Sequence, residues 1–194
     1  MTSEAERPAL LWLRDDLRIA DNPALTAAVA SGRAVVALFV LDEVSPDLRP
    51  LGGASHWWLH RSLAAFVDCF TALGGRFCLR RGPAGDVVAA VAADLDAAEV
   101  YWNRRYLPAA VAIDGDLKRR LRAEGRRVES FRANLLHEPP MVKTGTGNPF
   151  RVFTPFWRAC RATAPARAPL PAPTSIRGSS RPVASLALDD LALL

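Results

Sequence analysis

The chain carries three histidines, three cysteines and 20 acidic residues, and their spacing decides which chemistry is open to it. His56 and His60 stand four apart, as on one helix face, but Trp57 occupies the place of the Glu in the H-E-x-x-H zinc motif. With His137 far along the chain, the pattern predicts caps or partly exposed rings, not metal ligands. Cys69, Cys78 and Cys160 show no C-x-x-C spacing and read as buried thiols in a reducing cytosol. Ser55 beside His56 has no orienting carboxylate nearby in sequence, and no Gly-x-Ser-x-Gly elbow occurs, so hydrolysis has no support. The turn after the first apolar run reads Arg14-Asp15-Asp16-Leu17-Arg18 with no glycine, which excludes the dinucleotide fingerprint. Gly145-Thr146-Gly147 precedes Asn148-Pro149 and reads as a turn. Gly82-Pro83-Ala84-Gly85 is left as a poor candidate for a phosphate turn. Planar-ligand chemistry is better represented. Trp57 and Trp58 are adjacent, and neighbours on a helix point about 100° apart, so either one of them is free to stack on a ring or both pack against different elements. Phe150, Phe153, Phe156 and Trp157 form a second aromatic run, which looks made for a partner.

These residues must be positioned by a regular alternation of apolar runs and helical periods. Ala9 to Leu13 is a short apolar run, and Asp21-Asn22-Pro23 is a cap with proline in the first turn of a helix reaching about Ala30. Ala34 to Leu41 is continuous and rich in β-branched residues, as in a strand covered on both faces. Leu59, Leu63, Phe66, Phe70 and Leu73 make one helical stripe that stops at Gly74-Gly75. Arg76 to Leu79, Glu99 to Asn103 and Arg127 to Phe131 read as strands. Helices opened by Asp86 and by Pro108 separate them, the second with Val111, Asp114, Leu117 and Leu121 in register. Five strands joined by helices predict an α/β fold, a parallel Rossmann-like sheet with helices on both faces. Ligands of such sheets gather beyond the carboxyl ends of the strands. That selects Arg14 to Asn22, Asp42 to Ser55, Gly82 to Asp86, Asn103 to Pro108 and Arg132 to His137, with Arg14, Phe39, Asp42, Ser55 and Asn103 as candidate contacts.

Of the 194 residues, 50% are hydrophobic and 23% charged, which excludes disorder and a disulfide scaffold. The expected division is a loose N-terminus over 1–8, an α/β domain over 9–162 and a Pro-rich linker or tail over 163–194, where Pro165, Pro169, Pro171, Pro173 and Pro182 fall. No run of about 18 apolar residues predicts a membrane span, and the first residues lack the apolar stretch of a secretory signal, so the expected location is the cytoplasm. The net charge of +5 suits a nucleic-acid partner. The densest basic cluster, Lys118-Arg119-Arg120 with Arg122, Arg126 and Arg127, reads more simply as a solvated helix face.

Two long stretches carry a family likeness. Trp12-Leu13-Arg14-Asp15-Asp16-Leu17-Arg18-Ile19-Ala20-Asp21-Asn22-Pro23 resembles the opening signature of the DNA photolyase/cryptochrome family. Thr144 to Arg158, with Asn148-Pro149-Phe150 and Phe153-Thr154-Pro155-Phe156-Trp157, resembles its later motif, and Tyr101-Trp102-Asn103-Arg104-Arg105-Tyr106 joins them. The resemblance implies a light-harvesting α/β domain of a deoxyribodipyrimidine photolyase, a carbon-carbon lyase that repairs cyclobutane pyrimidine dimers in DNA. It further implies a helical FAD-binding domain beyond a linker, inside which this chain stops, so no catalytic residue and no photorepair are expected of it alone. That domain would dock on Phe150, Phe153, Phe156 and Trp157, and damaged DNA would be the partner of the whole protein. The antenna chromophore differs between branches: methenyltetrahydrofolate, a deazaflavin or a flavin. The folate-holding Asn-Glu pair of one bacterial branch falls on Ala109-Ala110, and the acidic deazaflavin contact falls near Arg105, which weakens both modes. The branch that is similar to plant cryptochromes places an acidic residue and an aromatic where Glu43 and Trp57 stand, so methenyltetrahydrofolate held by Glu43 and Trp57 is the preferred expectation. Arg14, Asp16, Arg18 and Asp21 are expected to tie the first loop to the Asn148 to Trp157 segment. A cryptochrome photoreceptor and a stand-alone nucleotide-binding α/β module remain as rival readings.

Overall fold

A computed structural model describes residues 7–138, 141–163 and 167–194. The expected order of elements is present: β1 (Ala9–Leu13), α1 (Pro23–Ala30), β2 (Val35–Leu41), α2 (Gly53–Ala72), β3 (Arg76–Arg81), α3 (Ala84–Asp94), β4 (Glu99–Asn103), α4 (Pro108–Ala123), β5 (Arg127–Phe131) and α5 (Phe153–Ala162). All four strand pairings are parallel, and the sheet order is β3-β2-β1-β4-β5. The order reverses between β1 and β4, so the crevice of the fold opens at their carboxyl ends.

Alternation along the central strands feeds two cores. Leu11, Leu13, Ala37 and Phe39 face the layer of α1 and α2, with Leu63, Phe66 and Phe70 of α2. Leu10, Trp12, Val36 and Leu38 face the layer of α3 and α4, with Val88, Val91, Leu117 and Leu121. Both faces of β1 and β2 are buried, which is why neither strand carries a polar residue. On α4 the register holds for Leu117 and Leu121, whereas Val111 is exposed.

Two local expectations need correction. Asn22 alone caps α1, its side-chain oxygen accepting from the Leu25 amide at 3.1 Å, while Asp21 turns outward in a left-handed conformation at φ 52°. Asp86 lies in the first turn of α3 and pairs with Arg120, and the α3 amide of Ala84 is instead satisfied by Asp42 at 2.9 Å.

The 167–194 segment is extended, as a linker would be, yet it is packed on the domain. Ile176, Leu191 and Leu193 are buried in the α1/α2 core. Val35 bridges Gly178, and the Leu186 amide donates to the Leu79 carbonyl of edge strand β3 at 2.9 Å. A short 3₁₀ turn, Asp189–Leu191, seats the last apolar residues. Residues 1–6 and 164–166 of the expected N-terminus and linker lie outside the described residues. Since Leu191 is fully buried, Leu191→Ala is expected to lower stability by about 2 to 4 kcal/mol. Urea unfolding of the full chain checks this; a loss no larger than a surface substitution would mean that the segment does not belong to the core.

Candidate functional site

The crevice at the end of β1 is built on a buried carboxylate. Asp16 lies just beyond the strand, where the turn has no glycine to relax it, and its Oδ1 accepts from the Arg14 amide at 2.7 Å. Its Oδ2 accepts from Asn103 Nδ2 of β4 at 2.5 Å. Asn103 Nδ2 also reaches Asn22 Oδ1 at 2.8 Å, and Asn103 Oδ1 accepts from the Ala24 amide at 3.2 Å. One amide side chain thus joins β1, β4 and α1 at the switch point. Burial pushes the Asp16 carboxyl above its ordinary value, against the bonds from Arg14 and Asn103.

Arg14 extends from this knot. Its guanidinium pairs with Asp114 of α4 at 2.5 Å, donates to the Asn103 carbonyl and lies 4.2 Å from the Trp12 ring centroid. Trp102 Nε1 donates to the same Asp114 at 2.9 Å. Trp12 and Trp102 meet edge to face at 5.7 Å. Arg14 Nε and Trp12 Nε1 are buried and have no hydrogen-bond partner. Both residues line a cavity of about 400 Å³, together with Phe39, Leu41, Asp42, Leu51 and Leu59 on one side and Arg105, Leu107 and Ile113 on the other. A mostly apolar slot with two unmatched donors suits a planar ligand that brings its own acceptors.

The sequence candidates fall into three groups. Arg14, Phe39 and Asp42 line the cavity. Asp42 is committed to its own loop: its oxygens accept from Ser45 Oγ at 2.6 Å and from the Val44, Ser45 and Ala84 amides. Partial burial opposes ionisation there, but these donors outweigh it and hold the Asp42 carboxyl below its usual range. Asn103 is buried in the knot and is saturated by protein partners.

Glu43, Ser55 and Trp57 lie outside the cavity lining, at the two ends of the β2–α2 loop that forms one of its walls. Glu43 Oε1 is 2.6 Å from His56 Nε2, and its Oε2 accepts from Arg81 at 3.3 Å. The His56 bond, ahead of the Arg81 bond, holds Glu43 below the usual carboxylate range despite partial burial. Ser55 is exposed. Trp57 and Trp58 are 50% and 68% exposed, so the alternative in which both pack is overturned: they begin α2 before it reaches the sheet layers. The guanidinium of Arg61 lies 5.7 Å from the Trp57 ring centroid.

Other readings are settled by pairing. The first loop is tied to different partners than expected: Arg18 reaches the Ala133 carbonyl and Asn134, and Asp21 takes Arg167 and the Leu170 amide. Among the described residues no bond links Arg14, Asp16, Arg18 or Asp21 to residues 148–157: Arg14 is taken by Asp114, Asp16 by Asn103, Arg18 by Ala133 and Asn134, and Asp21 by Arg167 and Leu170. Cys78 and Cys160 are buried but Cys69 is exposed, on the outer face of α2. In the basic cluster Arg119 pairs with Asp116, Arg120 with Asp86 and Glu124, Arg126 with Glu124, and Arg127 with Glu129, so it offers few free cations to phosphate. The Gly82 to Gly85 turn presents the Asp42 carboxylate at the start of α3, where a bound phosphate would have to sit. Gly145-Thr146-Gly147 is a turn closed by the Gly147 amide on the Thr144 carbonyl. No group of three or more His, Cys, Asp or Glu residues among the described ones could hold a metal, and no described helix is long and apolar enough to cross a membrane. Of the second aromatic run, Phe153, Phe156 and Trp157 are exposed on α5, while Phe150 precedes the helix and is half-buried, its ring centroid 6.2 Å from that of Phe156.

The sequence candidates omitted Asp16 and Asp114. Asp114 is a charge in an otherwise apolar helical register, but Asp16 is one of several charges in its turn, and the partners of the two are 100 and 87 residues distant.

The family model for DNA photolyase matches residues 9–174. A deoxyribodipyrimidine photo-lyase of Agrobacterium fabrum is 43% identical over 169 residues, 87% of this chain and 35% of that protein. Cryptochrome-1 of Arabidopsis thaliana is 39% identical over 78% of this chain and 22% of its own length. A bacterial class III photolyase from Agrobacterium tumefaciens superposes with a TM-score of 0.91 at 40% identity, over 100% of this chain and 39% of the other. The chain therefore spans 22% to 39% of the length of these relatives.

Two predictions follow from the geometry. Asn103→Leu, which strands Asp16 and the Ala24 amide, should cost about 2 to 4 kcal/mol in urea unfolding; a loss under 1 kcal/mol would show that the knot is dispensable. Asp42→Ala should cost about 1 to 2 kcal/mol near neutral pH. The depressed Asp42 carboxyl contributes fully above its unfolded value and loses that contribution as pH falls through the folded one. The gap between wild type and Asp42→Ala should thus narrow from pH 7 to about pH 3, and a constant gap would contradict the assignment.

Proposed function

The chain belongs to the DNA photolyase family, and from that premise we propose that it is the light-harvesting α/β domain of a photolyase that repairs cyclobutane pyrimidine dimers. The observation that carries the proposal is the mostly apolar cavity at the switch point, walled by the β2–α2 loop that has the ionised Glu43 at one end and the half-exposed Trp57 just past the other. The higher identity over a larger share of the chain favours the photolyase over the cryptochrome reading. The Asp42 cap on α3 disfavours a phosphate-binding nucleotide module.

The antenna proposed is methenyltetrahydrofolate, with a deazaflavin or flavin in the cavity as the alternative. When bound, such a group absorbs near-UV or blue light and passes the excitation to FAD in the helical part of the whole protein. Each Glu43 oxygen accepts one bond from the protein, which leaves lone pairs for the amide and amino donors of a pterin. His56 and Arg81 keep that carboxylate ionised and aimed, while the half-exposed Trp57 supplies a stacking face. Phe39, Leu51 and Leu59 keep water from the neighbouring slot. Repair is assigned to the flavin-binding region of the whole protein, and the aromatic surface of Phe150, Phe153, Phe156 and Trp157 is proposed as the one on which that region docks. Damaged DNA is the substrate of the whole protein, in the cytoplasm.

Methenyltetrahydrofolate added to the purified chain should bind with a change in its near-UV absorption and fluorescence. Trp57→Ala and Glu43→Gln should each weaken that binding about tenfold or more. Full affinity in both variants would move the ring away from Glu43 and Trp57. The chain alone should leave dimer-containing DNA unrepaired under illumination, and repair would overturn the division of labour.

A further inference from the structure

The segment after α5 touches the domain at two separate places. At one end Arg167 Nη1 donates to Asp21 Oδ1 at 2.5 Å, the Leu170 amide donates to the same oxygen at 3.2 Å, and the Asp21 amide donates back to the Leu170 carbonyl at 2.8 Å. At the other the Ile176 amide donates to the Leu73 carbonyl at 2.7 Å, the Val35 amide to the Arg177 carbonyl at 2.7 Å, and Gly178 crosses Gly74 so closely that a Cβ would sit 2.4 Å from the Gly74 carbonyl oxygen. Leu186, Leu191 and Leu193 then pack down on the α1/α2 side.

Asp21 holds a left-handed conformation, which aspartate tolerates better than most residues, and surrounding bonds hold it there. Those bonds come from both directions. Leu170 and Arg167 grip it from the segment, and Arg18 Nε donates to its carbonyl at 3.0 Å. Next in line, Asn22 Nδ2 donates to the carbonyls of Arg18 and Asp16, and Asp16 holds the Arg14 amide. An unbroken row of hydrogen bonds thus runs from the segment to the residue that lines the cavity with an unmatched donor.

We propose that residues 167–194 form a strap whose seating, through Asp21, fixes the 14–22 loop and hence the Arg14 edge of the cavity. The strap is a conformational link: a pull on it loosens the ligand site. It rests on the proposed function only in taking the crevice walled by the β2–α2 loop as the ligand site.

Amide hydrogen exchange on the full chain tests the link without any chromophore, so failure of the antenna reading and failure of the strap are separately visible. Gly178→Val should unseat the strap, raising exchange at Ile176 and Leu186 about tenfold or more and with it exchange at Asp21, Arg18 and Arg14, while the central strand Leu10–Leu13 keeps its protection. Open strap amides with wild-type protection at Arg14 and Arg18 would overturn the proposal. If Gly178→Val unfolds β1 or leaves the strap closed, Arg167→Ala decides: faster exchange at Asp21 and Arg18 with β1 intact supports the link, and an unchanged loop overturns it.

Discussion

A buried carboxylate at the point where a parallel sheet reverses its order is the constraint on which the rest of this structure depends. Asp16 can remain there only while Asn103 and the Arg14 amide hold its two oxygens. Asn103 in turn spans β4, the cap residue Asn22 and the first turn of α1. The knot therefore fixes how β1, β4 and α1 meet, and it leaves the Arg14 side chain projecting over the crevice with Asp114 as its counter-ion. Removing any member would leave another buried group unpaired, which explains why a costly arrangement is closed by so many short bonds.

The same economy of charge governs the surface. A net charge of +5 suggests a basic face, yet most arginines of the densest cluster are spent on nearby carboxylates. The large apolar groups left to solvent are the aromatic face of α5 and the paired indoles near the start of α2, and two of the buried donors without a partner belong to residues that line the cavity. These features fit the proposed ring-binding and docking roles better than a grip on phosphates.

The strands and helices were legible in the sequence because their signals are local. The AVVALFVL run declared a doubly covered strand, the stripe from Leu59 to Leu73 declared the inner face of α2, and Asn22-Pro23 declared a cap. The wiring of the site was not legible, because it consists of long-range pairs. Nothing near Asp42 announces that it caps a helix 42 residues later, and nothing near Arg14 names Asp114. The packed segment after residue 166 was missed for a different reason: an extended strap needs no period, since Ile176, Leu191 and Leu193 enter the core singly. Trp57 and Trp58 show the reverse case: a local pattern left open whether one ring is free or both pack, and geometry gives both to solvent.

The most direct test of the light-harvesting role is the absorption spectrum of the freshly purified chain, read before and after addition of methenyltetrahydrofolate, followed by denaturation and mass analysis of what is released. The account predicts a near-UV pterin band that remains with the protein through gel filtration and is released as the intact folate. A chain that stays colourless with methenyltetrahydrofolate, and equally with a deazaflavin and a flavin, would contradict it.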